Sequence, residues 1–182
     1  MALTAPLIDT ALIVVDIQRG TAKNPFITAF DDVAAHAAEL AAAFRRRGAP
    51  VVIATFALSR PAADGQPDRP EPEGFREPLG VLDVHPDDLT VTRPAWSAFS
   101  GTGLDRMLCD HGITRLVLAG VATSIGVEST AREARDLGYE LVIASDAVTD
   151  LRAETHENSI QRIFPMMAEI ATTDEILSAL GV

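Results

Sequence analysis

Three groups of residues in this 182-residue chain have the types and spacing to do chemistry. The first is the stretch 118–132, LAGVATSIGVESTAR, where Gly120 and Gly126 stand between an apolar run and a helical pattern. A sharp strand-to-helix crossing aims several backbone N–H groups, and the positive end of a helix dipole, at one spot. Such a spot suits a bound anion, or an oxyanion that forms during reaction. The same spacing also reads as an ordinary βα turn whose glycines allow tight packing. The second group is Asp16 in Val15-Asp16-Ile17-Gln18. A carboxylate half buried at a strand end has a raised pKa suited to proton transfer; a lone aspartate there also reads as a helix cap or turn residue. The third is Arg93 in Arg93-Pro94-Ala95-Trp96-Ser97-Ala98-Phe99. Its guanidinium stays protonated at any working pH, so it holds a carboxylate in a two-pronged grip and does not shuttle a proton. Trp96 and Phe99 read either as walls of an apolar pocket or as core or interface aromatics.

These groups need strands and helices to bring them together. Apolar runs at 11–15, 51–56, 89–92, 114–119 and 140–144 read as strands, with 168–171 as a short edge strand. Helical spacing marks 30–48 through Val33, Ala37, Leu40, Ala41 and Phe44, with Arg45-Arg46-Arg47 as a solvated end and Gly48 as the stop. It also marks 102–112, with Leu104, Leu108 and His111 on one side, the stripe Val127, Thr130, Ala131, Ala134 and Leu137, and the segments 153–164 and 173–180. Strand and helix alternate throughout. The fold class is therefore α/β, a three-layer αβα arrangement with a doubly wound, mostly parallel sheet of about six strands. Ligands in such sheets bind outside the carboxyl ends of the strands, where Asp16, Arg93 and the turn 121–126 all fall. Residues 1–182 read as a single domain. The segment 57–88 holds six of the eleven prolines and reads as a lid, an interaction loop or a mobile segment. Asp146 reads as a turn-stabilising residue.

Composition narrows the function classes. A formal net charge of −11 argues against nucleic acid and anionic membrane as partners. No apolar run has the length of a membrane span, and residues 1–9 lack the basic start and apolar core of a signal peptide, so the expected location is the cytoplasm. One cysteine, Cys109, allows no internal disulfide, and it falls outside every motif. The four histidines (36, 85, 111 and 156) show no metal-ligand spacing. Neither a dinucleotide-binding fingerprint nor a P-loop occurs, so no cofactor is expected.

GVATSIGVESTAR, followed by AxxxGY (134–139) and SDAV (145–148), resembles the isochorismatase-like cysteine hydrolase family, which includes nicotinamidases, N-carbamoyl amidases and isochorismatases. The resemblance runs from residue 11 to 180. It implies that Asp16 is the acid/base and that Gln18 lines the pocket. Arg93 stands where the family has a catalytic lysine, and Gly126 stands where it has the nucleophilic cysteine. The resemblance further implies a cis Val121–Ala122 peptide, an oxyanion hole from the N–H groups of Ala122 and Gly126, and a substrate site that includes Val121, Ala122 and Thr123. Metal-binding members carry an aspartate and histidines after the second strand; this chain has Phe56-Ala57-Leu58, so no zinc is expected.

Without a thiol at 126, covalent catalysis is not expected. Isochorismatases of the family also lack the cysteine. Their likeness implies non-covalent hydrolysis of a small anionic molecule, with Asp16 protonating a vinyl ether or related bond, water adding, and Arg93 anchoring a carboxylate. One tension accompanies this reading, because a cation beside Asp16 lowers a pKa that proton donation needs raised. The alternative is a catalytically degenerate member that binds a small metabolite or acts as a structural or regulatory subunit. A homodimer or higher homo-oligomer is implied by the resemblance. On the same basis, a cysteine restored at 126 tests whether only the nucleophile was lost.

Overall fold

The computed structural model describes residues 3, 7–58 and 70–181. The apolar runs form six strands: β1 (Thr10–Val15), β2 (Val51–Phe56), β3 (Leu89–Arg93), β4 (Arg115–Val121), β5 (Glu140–Thr149) and β6 (Glu169–Ala171). All pair in parallel in one sheet ordered β3-β2-β1-β4-β5-β6. β1 lies between β2 and β4 and is buried at every residue. Its Ala-Leu-Ile-Val-Val run therefore has no polar face, as expected of a strand covered on both sides.

Helices cover both faces. Leu12 and Val14 point toward α1 (Phe30–Arg46) and α5 (Thr173–Leu180); Ala11, Ile13 and Val15 point toward α2 (Leu104–Asp110) and α3 (Glu128–Asp136). The period of two along β1 thus feeds two cores, each fully buried aliphatic side chain contributing about 1.5–3 kcal/mol. After α4 (Ala153–Asn158) the chain stays helical, through a π turn at Ser159–Ile163 and a 3₁₀ turn at Phe164–Met166. The architecture is the three-layer, doubly wound α/β fold.

The structure corrects several smaller expectations. Leu137 is 46% exposed because it lies beyond the last turn of α3, where the chain leaves the core. His111 is exposed for the same reason at the end of α2. Arg45 is not a solvated helix end: its Nε and Nη2 donate to the two carboxylate oxygens of Asp88, at 3.0 and 2.7 Å, and its Nη1 and Nη2 reach Leu82 O. This pair ties the end of the Pro-rich segment to α1. Much of that segment, 59–69, lies outside the described residues.

Candidate active site

Asp16 is the first residue after β1. Its N–H still donates to Ala54 O at 2.8 Å, but its φ is 54°. Aspartate is among the few non-glycine residues that tolerate this left-handed region. The Thr21 hydroxyl donates to the Asp16 carbonyl at 2.6 Å and holds the turn. Thus β1 delivers a carboxylate, only 3% exposed, to the carboxyl edge of the sheet.

Arg93 is the last residue of β3, in register with Phe56 of β2. Its guanidinium carbon lies 4.9 Å from the Phe56 ring centroid, so the side chain passes over the end of β2 on an aromatic face. Arg93 Nε donates to Asp16 Oδ1 at 3.0 Å and Nη2 donates to Oδ2. Nη1 donates to Ala95 O, and Arg93 is itself only 3% exposed. Burial pushes the Asp16 carboxyl above the ordinary aspartate range, while the hydrogen bond and charge of Arg93 pull it down; burial prevails.

The central turn lies beside this pair. Gly120 has φ 118°, and a Cβ there would overlap Val15 O, so glycine is required where β4 passes β1. The Val121–Ala122 peptide is cis. A π turn at Thr123–Val127 then runs into α3. A Cβ on Gly126 would stand 2.9 Å from Arg93 Nη2, 3.0 Å from Val121 O and 3.1 Å from Val15 Cγ1. The space above position 126 is therefore bounded by the guanidinium, a β4 carbonyl and a β1 side chain.

Two residues that sequence reasoning passed over fix this turn. Asp150, 2% exposed at the end of β5, accepts the N–H of Ser124 at 2.6 Å and of Leu151 at 2.7 Å. Its signal was available, since Val148-Thr149-Asp150 repeats the strand-end setting of Val14-Val15-Asp16. Thr130, counted above only as part of a buried stripe, donates to Gly126 O at 2.7 Å and accepts the Ala98 N–H at 2.9 Å. Buried Thr123 shares a 2.9 Å hydrogen bond with His156 Nδ1, and burial holds the His156 pKa below its usual value. Nothing in the spacing of His156 pointed to that contact.

The remaining candidates are distributed differently. Gln18 is fully buried; its amide donates to Phe56 O at 3.1 Å and Phe75 O at 3.0 Å and accepts the Phe56 N–H at 2.7 Å. It stitches β2 and the Pro-rich segment to the end of β1. Phe99 packs in the core, its ring centroid 5.8 Å from that of Tyr139. Trp96 is 64% exposed. Asp146 accepts the N–H and hydroxyl of Thr173, anchoring the start of α5. Cys109 is exposed on α2, beside Asp105 and Tyr139.

A cavity of about 690 Å³ lies at the opposite edge of the sheet, under the end of α1, and includes none of Asp16, Arg93 or Gly126. A smaller one of about 450 Å³, lined by His36, Asp146 and His156 among others, opens near the carboxyl end of β5. Among the described residues no three His, Cys, Asp or Glu side chains converge to hold a metal ion. No helix among them is long and apolar enough to cross a membrane.

A six-stranded parallel sheet covered by helices on both faces, with a buried acid–cation pair at its carboxyl edge, defines the class as doubly wound α/β. The comparisons place the chain within it. An isochorismatase domain matches residues 10–175, and the chain belongs to the isochorismatase family of hydrolases. It is 40% identical to the uncharacterized isochorismatase family protein YecD of Escherichia coli O157:H7, over 94% of this chain and 96% of that one. Identity is 36% to the uncharacterized isochorismatase family protein YwoC of Bacillus subtilis, over 92% of each chain. An isochorismatase family protein from Burkholderia thailandensis superposes with a TM-score of 0.89 at 36% identity, covering 98% of this chain and 100% of that one.

Proposed function

We propose that the protein hydrolyses a small anionic molecule without a covalent enzyme intermediate, cleaving a vinyl ether or related bond. The observation that carries this reading is the buried, two-pronged Asp16–Arg93 pair beside Gly126. A substrate carboxylate presents the same pair of oxygens as Asp16 and competes for the same guanidinium fork. A substrate carboxylate bound against the guanidinium offsets the positive charge that lowers the Asp16 pKa, while the burial that raises it remains. This resolves the tension between a neighbouring cation and a proton donor.

The reaction then balances. Protonated Asp16 gives its proton to the terminal methylene carbon of the enol ether. Water adds to the resulting oxocarbenium carbon, and the water's spare proton returns to the Asp16 carboxylate. The hemiketal collapses to a keto acid and an alcohol. Arg93 is the anion anchor, and the N–H groups of Ala122 and Gly126 complete the cradle for the substrate's negatively charged carboxylate. Val121, Ala122 and Thr123 border the substrate, while Gln18 and Phe99 support the site from the buried side.

The test is keto-acid release from isochorismate and simpler enol ethers at about 1 mM, a usual upper KM. Release by the wild type that Asp16→Asn abolishes supports the reading; intact substrate counts against it. One observation favours a second reading, in which the domain binds a small metabolite without turnover: both Asp16 oxygens are already committed to Arg93. Tight carboxylate binding that Asp16→Asn leaves in place, with no product, would select it. The proposal includes a cytoplasmic homodimer or larger homo-oligomer, for which the exposed Trp96 indole offers contact surface.

A further inference from the structure

Position 126 and position 93 share one volume. The point where a residue-126 Cβ would stand is 2.9 Å from Arg93 Nη2, closer than real Cβ contacts come. An arginine tip ordinarily swings aside from such a contact. This one is held on three sides: Nε and Nη2 on Asp16, Nη1 on Ala95 O, and the guanidinium face over the Phe56 ring. The other neighbours of that point, Val121 O at 3.0 Å and Val15 Cγ1 at 3.1 Å, ask for shifts of only a few tenths of an ångström. Arg93 is thus the neighbour that a side chain at 126 would displace.

We infer that Gly126 is a positioning residue for Arg93: the absent side chain is the space into which the guanidinium fork fits, so that this arginine can hold Asp16 only opposite glycine. The two residues act as one unit, joined through space from β3 and the turn after β4. A lysine at 93 ends in a single ammonium and lacks the fork that reaches this space. The inference concerns the geometry of the ion pair and holds whether or not the site turns substrate over.

The experiment compares Gly126→Ala, Arg93→Lys and the double variant with wild type by NMR, following the Arg93 Nε–H resonance and the titration of the Asp16 carboxyl carbon. In wild type the Nε–H is protected by its bond to Asp16. Gly126→Ala is expected to lose that protection and to move the Asp16 titration upward. In the Arg93→Lys background, Gly126→Ala is expected to add no further shift. A Gly126→Ala protein that keeps both wild-type signals overturns the inference, as does a double variant whose shifts are the sum of the singles. Thermal unfolding covers the case of poor folding. If Gly126→Ala fails to fold but the double variant folds, Arg93 is the excluded neighbour and the inference stands. If Arg93→Lys folds but both alanine variants fail, Val121 and Val15 exclude the side chain and the inference falls. None of these signals depends on turnover, so they are read separately from the hydrolysis assay.

Discussion

Asp16 and Arg93, 77 residues apart in the chain, meet across the end of β2 in a two-pronged ion pair whose members are each 3% exposed. A pair so deeply buried is held by complementary geometry more than by charge. Taking two ions out of water costs nearly what their attraction returns. Removing one partner is another matter, because the other stays buried and uncompensated. Asp16→Asn is therefore expected to destabilise the fold by about 3–5 kcal/mol, read as a lowered midpoint in thermal or denaturant unfolding. It is also expected to reduce turnover by about 10²–10⁴-fold, the usual contribution of a general acid. Unchanged stability would mean that the pair is not formed in solution.

Arg93→Lys keeps the charge but removes the fork. Binding of small carboxylates is expected to weaken by about tenfold or more, since one charge-assisted hydrogen bond is worth roughly 1.5–3 kcal/mol. Isothermal titration with a simple keto acid checks this; equal affinity in the two proteins would remove Arg93 as the anchor.

The pH dependence follows from burial. Because the Asp16 carboxyl is raised above the ordinary range, the folded chain binds that proton more tightly than the unfolded chain. The associated stability is fully present below the unfolded pKa and is lost as pH rises through the folded one. Turnover by a protonated acid falls over the same interval. The profile of kcat/KM is expected to show a falling limb above the ordinary aspartate range, and the matching slope of stability against pH is expected to vanish in Asp16→Asn. A limb at an ordinary aspartate pKa would contradict the assignment.

Asp150→Ala strips the carboxylate from the Ser124 and Leu151 N–H groups. The expected cost is about 1–3 kcal/mol, with faster hydrogen exchange concentrated at Ser124. Uniform exchange across the sheet would show that Asp150 supports the fold in general and not the turn in particular.

A cysteine at 126 introduced alone is not expected to give an amidase, because its Cβ would meet Arg93 Nη2. An amide-hydrolysis assay of Gly126→Cys with Arg93 intact checks this, and ready ammonia release would contradict it.

The three layers and the parallel sheet could be reached from the sequence because they rest on local signals; the order of all six strands comes from the fold. Alternating strand and helix patterns imply a doubly wound sheet, and a run such as 11–15, apolar at every position, can be satisfied only at its centre. Asp16 and Arg93 were legible as strand-end residues, and two strand ends of one parallel sheet share an edge. What could not be read were contacts that depend on the depth of packing. Arg93 fills the space at Gly126, Gln18 spends its amide on two backbone segments, and Arg45 finds Asp88. Each needs the distance between elements, which no periodicity encodes. Asp150 is different: its strand-end position was visible, but only the fold brings it against the turn.

The account rests most heavily on proton donation from Asp16 to carbon, and enol-ether hydrolysis in deuterated water tests this directly. The keto acid formed by the wild type is expected to carry one deuterium in its methyl group, and its rate of formation is expected to fall by at least about 10²-fold in Asp16→Asn. Intact substrate, an unlabelled methyl group, or an equal rate from the Asp16→Asn protein would contradict it.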